Sequence, residues 1–425
     1  MLLALSLIPM AARPDENYKD PEFNRLPIAA WLAQPKSQQQ IRWNVTVSPA
    51  ELSTHQRLIV RATARVDGRE LEKRRNSGKF EALAQYADAF GHVWQTHTTV
   101  DPATLQAAMQ RQYLDIHFYA FILPGDYTLS LAVCDPGTLE HSTAIRKVHV
   151  APLKTEPLPD LWKGLPPVEI VPSTPDPPDV WFLPEIESRL NLPVVTKRPV
   201  HIELVLNTTP SQRVSGSASA MRDNMRVLIP ALKILSQMQL RNGTIHATLL
   251  DLTHRKVAFE QTNATNLDWE NIRKFFLGAT PGIVDVRTLE GQHRILPFFR
   301  DEIKKRLEPD TVVIVLSGPA FYEDQEAVET PNEIVDPARQ LIYIRYRTVS
   351  MQRRLPPALQ AAGRGGRFGS RSVQSLPEND ALIPPLGEDD LEKTVEPLNP
   401  RIFDAASGTQ FRRILAAVVE QISRM

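Results

Sequence analysis

Catalysis needs nucleophiles, acids, bases or metal ligands at workable spacings, and this chain of 425 residues offers few of them. Its single cysteine, Cys134, excludes an intramolecular disulfide, a Cys-rich zinc site and a Cys-x-x-Cys redox pair. Cys134 stands at the end of the apolar stretch 127–133, which predicts a small buried hydrophobe rather than a nucleophile. The ten histidines are scattered. His92 with His97, and His141 with His149, are spaced so that each pair can meet across strands as a metal pair. The simpler expectation is solvated or hydrogen-bonded sheet histidines, and it extends to His246 and His254. No Gly-x-Ser-x-Gly elbow, Gly-x-Gly-x-x-Gly loop, Gly-Lys-Ser/Thr phosphate loop or His-Glu-x-x-His helix occurs. Asp301-Glu302 with Lys304-Lys305-Arg306 reads as a solvated helix face.

One basic segment stands apart. Residues 347–377 carry six arginines and no acid, including Gly363-Arg364-Gly365-Gly366-Arg367-Phe368-Gly369. Such arginine–glycine segments bind phosphates through charge and stack on bases. They are the basis of an alternative reading, a nucleic-acid-associated protein. The favoured reading is a disordered basic insertion, residues 347–387, kept soluble by its arginines and able to pair with the acids of 388–392. The whole chain balances 49 basic against 49 acidic residues, which argues against a generally basic nucleic-acid binder.

The elements that must position any site fall into two kinds. Residues 38–150 alternate with period 2. Ile41, Trp43, Val45 and Val47 form one such run, and Leu58, Val60, Ala62, Ala64 and Val66 another. Asp67-Gly68 reads as a hairpin turn, and Pro124-Gly125-Asp126 as a turn into the strand at Tyr127. Short strands with turn chemistry between them predict an all-β immunoglobulin-like sandwich, with Gly125-Asp126-Tyr127 leading into a tyrosine corner. Leu105, Met109 and Tyr113 predict a short helical crossover. Ten of the 33 positions 152–184 are proline, which predicts a semi-rigid linker over 152–197 lying against a domain surface.

From residue 198 strands alternate with helices. His201 to Leu206, Ile245 to Leu250, Val312 to Leu316, Leu341 to Tyr346 and Arg401 to Asp404 read as strands. Met225, Leu228, Leu232, Leu235 and Met238 mark a helix face, with Pro230 predicting a kink or a helix start. Phe411, Ile414, Leu415, Val418, Val419 and Ile422 mark the face of a terminal helix, with Ser407 and Gln410 as its capping box. This alternation predicts a multidomain chain whose second part, 198–425, is an α/β doubly wound domain with a mostly parallel sheet. At the other end, residues 1–12 read MLLALSLIPMAA. That run resembles the apolar and small-residue parts of a secretory signal without its basic start, and predicts export to a periplasmic or extracellular location. No apolar run reaches the ~20 residues that span a bilayer.

The α/β part resembles a von Willebrand factor A-like domain. The whole chain is similar to the bacterial family in which a β-sandwich precedes a degenerate domain of that type. The segments that carry this are VHIELVLNTTPSQ, VVIVLSGPA, LIYIRYR and RIFDAASGTQFRRILAAVVEQI. Metal-binding members of the family carry Asp-x-Ser-x-Ser after the first strand, a threonine in a second loop and an aspartate after the fourth strand. Together these hold a divalent cation that captures a partner's carboxylate. Here the matching positions are Asn207, Thr209, Ser211, Thr288 and Ser317. Both family carboxylates are replaced, by Asn207 and Ser317, so the resemblance implies a metal-independent face, with Glu323 or Asp324 as the acids that stand closest in sequence to restore one. It implies a non-enzymatic, adhesion-type module with no cofactor, whose partner is a protein and for which nucleic acid is the less favoured ligand.

Overall fold

The computed structural model describes residues 23–33, 39–76, 78–105, 112–171, 188–209, 218–278, 294–322, 340–346 and 389–425. The chain divides into two compact units. The first holds residues up to 156 with 162–177, and the second is mostly 190–425.

The first unit contains strands β1 (Trp43–Val47), β2 (Glu51–Leu52), β3 (Leu58–Asp67), β4 (Phe80–Ala87), β5 (Val93–Val100), β6 (Tyr113–Ile122), β7 (Gly125–Cys134), β8 (His141–Val150) and β9 (Val168–Val171), with helices α1 (Ile28–Ala33) and α2 (Gly68–Lys73). One sheet runs β1-β3-β6-β9 with β2 on β3, and the other runs β5-β4-β7-β8. Every pairing is antiparallel. The alternation read from the sequence sets the faces: Val60, Ala62, Ala64 and Val66 point inward while Arg61 and Arg65 are exposed. The two sheets share one core, in which the β3 residues meet Phe80, Ala84, Tyr86, Leu129, Leu131 and Val133. Each large apolar side chain so buried contributes about 1.5–3 kcal/mol before entropy is counted.

Three local outcomes refine the sequence reading. The Tyr127 hydroxyl donates to the Leu123 carbonyl oxygen at 3.0 Å, the backward bond expected of a tyrosine corner. Asp67-Gly68 is not a hairpin turn. Asp67 instead caps α2, its Oδ1 accepting from the Arg69 N–H at 2.9 Å. The residues after Gly68, Arg69-Glu70-Leu71-Glu72-Lys73, are good helix formers, and β3 pairs with β6 rather than with the next strand. The proline-rich stretch also contributes β9, a proline-free edge strand on β6. Glu169 of β9 pairs with Arg57, which is 3% exposed, and the Trp162 indole donates to the Gln56 carbonyl at 2.7 Å.

The second unit contains β10 (Leu192–Val194), β11 (Val200–Asn207), α3 (Ala218–Ser236), β12 (Met238–Leu240), β13 (Gly243–Asp251), β14 (Lys256–Gln261), α4 (Trp269–Gly278), α5 (Ile295–Arg306), β15 (Thr311–Ser317), β16 (Gln340–Tyr346), α6 (Asp390–Val395), β17 (Arg401–Ala405) and α7 (Gly408–Ser423). Six strands form one sheet in the order β14-β13-β11-β15-β16-β17. β14 is antiparallel and the other five are parallel. β10 and β12 form a separate parallel pair. On one face, Val205, Val313, Val315, Leu341 and Tyr343 pack with Phe299 and Ile303 of α5 and with Leu391 and Val395 of α6. The opposite face, with Leu204, Leu206, Ile314, Leu316 and Ile344, is also buried, under α3 and under α7, whose Phe411 ring lies 5.4 Å from that of Tyr346. Burial on both faces explains why the central strands read as unbroken apolar runs. β11 and β13 approach so closely that a Cβ on Gly243 would lie 2.0 Å from the Val200 carbonyl oxygen, so only glycine fits there.

Pro230 lies inside α3, not at its start. The terminal helix is capped as its sequence implies. Ser407 Oγ accepts from the Gln410 N–H at 3.2 Å, and Gln410 Oε1 accepts from the Ala406 N–H at 2.7 Å. Its apolar face is buried, but so is Arg412 at 1% exposure, which the apolar pattern did not indicate. Among the described residues no helix is long and apolar enough to cross a membrane.

Candidate functional site

β11 ends at Asn207 and β15 at Ser317. The two strands are neighbours with Leu206 opposite Leu316, which brings both residues to the carboxyl end of the sheet on the Val205–Val315 face. The Asn207 amide nitrogen donates to Ser317 Oγ at 2.9 Å. Its oxygen accepts from the Thr209 N–H at 2.9 Å, and that donor fixes which end of the amide is oxygen. The Ser317 hydroxyl donates to the Gly318 carbonyl at 2.6 Å. Thr209 Oγ1 accepts from the Leu252 N–H at 2.7 Å, and Thr208 donates to the Leu250 carbonyl at 2.9 Å. Asn207, Thr208, Thr209 and Ser317 are all buried. Of the residues expected at the site, Asn207, Thr209 and Ser317 are therefore brought together, as a buried polar ladder that ties the ends of β11, β13 and β15. Ser211, Thr288, Glu323 and Asp324 lie outside the described residues.

The ladder continues into residues that the motif search did not single out. Tyr343 stands opposite Val315 in register, on the same face as Ser317, and its hydroxyl lies beside that serine. The Tyr343 hydroxyl donates to Asp389 Oδ2 at 3.0 Å. Asp389 caps α6, its Oδ1 accepting from the Glu392 N–H at 2.7 Å. Burial pushes the Asp389 carboxyl up to about 6, with bonds from the Glu392 N–H and attraction to Arg345 offsetting part of the shift. Burial, with Asp389 next, raises Tyr343 well above the ordinary phenol range. Next to this chain, the Tyr322 N–H donates to Asp390, and the Asp390 N–H donates to the Ala320 carbonyl at 3.0 Å. The Tyr322 hydroxyl is buried beside Asn207, in a geometry that makes no hydrogen bond. Arg345 grips Asp404 with two bonds, at 2.7 and 3.0 Å, and also bonds Glu392. The signal that could have found this cluster is Asp389-Asp390-Leu391-Glu392, whose Asp-x-x-Glu spacing is that of a capping box.

A divalent cation at the position that the resemblance assigns to one would need oxygens free to turn toward it. Asn207 Oδ1 already takes a backbone N–H, the Asn207 amide nitrogen faces Ser317, and the Ser317 proton faces a carbonyl. None of the three residues carries a charge to offset dehydration of a hard ion. This set does not fit a metal. Among the described residues, no three histidine, cysteine or acidic side chains are grouped to hold one.

The remaining chemistry-bearing residues have local partners. His92 bonds Asp88 at 2.8 Å and His149 bonds Asp126 at 2.7 Å. His97 stacks on Phe23 and His141 on Trp31, with centroids 4.1 and 4.2 Å apart. Neither spaced pair thus meets as a metal pair. His246 bonds Glu203 and His254 bonds Asp251, at 2.8 and 2.7 Å. Cys134 is 3% exposed, and burial pushes its thiol up to about 12, which suits a core hydrophobe and not a nucleophile. No protein-family model and no curated protein matches this chain.

Proposed function

We propose that this chain is an exported, non-enzymatic module that binds a protein partner through the carboxyl-end face of its second unit, without a metal ion. The sheet order supports reading that unit as a doubly wound, von Willebrand factor A-like domain, because its six strands, numbered within the sheet, run 3-2-1-4-5-6, the arrangement of such sheets. In open sheets of this kind ligands bind outside the carboxyl ends of the strands. Two antiparallel sheets around one core, with a tyrosine bonded back to the backbone, support an immunoglobulin-like first unit.

The observation that carries the reading is the direct bond from Asn207 to Ser317. It joins the first and fourth strands, in chain order, of the six-stranded sheet, where the family uses a cation, so the face keeps its shape without an ion. Partner contact then falls to the rim around Thr253, His254 and Phe321, and not to the buried ladder itself. The lack of a hydrolytic or phosphate-binding motif supports a binding role over an enzymatic one.

Calorimetry on the full chain tests the metal part: no heat is expected with Mg²⁺ or Ca²⁺ at low micromolar concentration, and tight binding of either overturns it. Capture from the native envelope fraction tests the rest. A specific partner should be retained in chelator and lost with Thr253→Arg. A partner that chelator releases, or that Thr253→Arg retains, overturns the assignment of this face. Export is tested by intact mass of the protein expressed from its native upstream region, where retention of residues 1–12 overturns it.

A further inference from the structure

Asp389 is the one carboxylate of the polar cluster with no exposure at all. It is held by a backbone N–H and by a phenol, not by a bonded cation: Glu392 N to Oδ1 at 2.7 Å and Tyr343 to Oδ2 at 3.0 Å. The turn it opens clamps three separate pieces of the sheet edge. Asp389 takes β16 through Tyr343. Asp390 takes the chain after β15, through the Tyr322 N–H and the Ala320 carbonyl. Glu392 takes β16 again through Arg345, which is in turn fixed on Asp404 of β17. Leu391 and Val395 then seat α6 in the apolar cluster with Phe299. From the Tyr343 hydroxyl the polar ladder runs past Ser317 to Asn207 and the Thr209 N–H.

We propose that the turn 389–392 is a proton-operated latch: it grips the carboxyl edge of the sheet when Asp389 is protonated, loosens when Asp389 ionises, and passes the change to the Thr209 turn through Tyr343, Ser317 and Asn207.

A protonated Asp389 keeps both bonds, because Oδ1 still accepts from Glu392 and the acid proton on Oδ2 can face the Tyr343 oxygen. Tyr343 is then free to donate toward Ser317. An ionised Asp389 holds a full charge in a dry site and takes the Tyr343 proton for itself. The charged groups around it are mixed. Arg345 attracts the anion, and Asp404 and Glu392 compete with it for Arg345. The α5 contribution to this cluster is apolar, Leu296 and Phe299. The sign follows from the raised midpoint. Folded Asp389 ionises near pH 6 and an undocked one near its ordinary value of about 4, so docking is fully supported below about 4 and weakens as pH rises through 6. Two units at tenfold each set the limit, up to about a hundredfold in the opening equilibrium.

The latch does not depend on the partner-binding reading, and its test needs no partner. Hydrogen exchange on the full chain, corrected for intrinsic rates, should show the 390–398 amides opening more at pH 7.5 than at pH 4.5, by roughly twentyfold, since an undocked acid is already mostly ionised at the lower pH. Asp389→Asn, which mimics the protonated acid, should remove the dependence. Tyr343→Phe should speed exchange at Thr208 and Thr209 by about tenfold, the scale of one lost hydrogen bond. A pH dependence that persists in Asp389→Asn, or Thr208 and Thr209 amides indifferent to Tyr343→Phe, overturns the proposal. Should either variant fail to fold, carboxyl carbon shifts of labelled aspartate in the wild type decide: a midpoint near 6 supports the latch and one near 4 overturns it.

Discussion

The two units treat a buried tyrosine in opposite ways. In the first, Tyr127 gives its proton to a backbone carbonyl four residues back, and nothing in that bond changes with pH below the phenol's own ionisation. In the second, Tyr343 gives its proton to Asp389, a group pushed into the physiological titration range by burial. Both phenols satisfy the rule that buried polar groups find partners. The difference lies in the partner. A carbonyl acceptor makes a staple, whereas a buried carboxylate makes a joint whose strength follows the proton concentration. The same contrast holds more widely. Both units also hold buried ion pairs, Arg57 with Glu169 and Arg74 with Glu70 in the first and Arg306 with Glu302 in the second, but the second adds a hydrogen-bonded polar cluster at the carboxyl end of its sheet.

The largest expected effect breaks the first unit at its newly found edge. A fragment of residues 39–152 lacks β9 and leaves the buried Arg57 without Glu169. Breaking a buried pair on one side costs about 3–5 kcal/mol. A fragment of 39–177 should therefore melt cooperatively and well above 39–152. Equal midpoints would mean that β9 contributes nothing to the unit. For the second unit, Leu415→Ala removes a fully buried side chain of α7 and should cost about 2–5 kcal/mol by denaturant unfolding. Arg413→Ala, on the exposed side of the same helix, should stay within about 0.5 kcal/mol. Similar losses from both would put the helix face in the wrong place.

Much of this architecture is legible in the residues. Period 2 located β1 and β3 because each buries one face, and the heptad-like spacing of Phe411 to Ile422 located α7 because it buries one stripe. Asp67-Gly68 misled because an aspartate before glycine suits a helix cap as well as a hairpin, and only the strand partner decides. β9 was hidden because the surrounding proline density argues against strands, yet the four residues Val168–Val171 between Pro167 and Pro172 carry none. At the site, the motif placed Asn207, Thr209 and Ser317 together, but a motif cannot say whether its side chains face solvent or each other. Tyr343 and Asp389 were missed for a different reason. They are 46 residues apart, and what joins them is a parallel sheet whose face direction must be known first. Arg412 carries no sequence signal at all, since a buried arginine within an apolar stripe contradicts the pattern that defines the stripe.

The smallest expected effect is the sharpest comparison. Tyr127→Phe removes the neutral hydrogen bond to the Leu123 carbonyl. The loss should be about 0.5–1.5 kcal/mol and the same at pH 4.5 and pH 7.5. Tyr343→Phe removes a donor from a carboxyl that is mostly protonated at the lower pH and mostly ionised at the higher. At pH 4.5 the acid can keep its own proton and the loss should match that of Tyr127→Phe. At pH 7.5 the anion loses one of its two described hydrogen bonds, and bonds to charged groups are worth about 1.5–3 kcal/mol. The two variants should thus agree in acid and separate by roughly 1 kcal/mol or more at neutral pH, with Tyr343→Phe the less stable. Denaturant unfolding of the full chain at both pH values, following the transition of each unit, measures the gap. A gap that does not change with pH would place the ionisation of Asp389 outside this range and would remove the distinction between the staple and the joint.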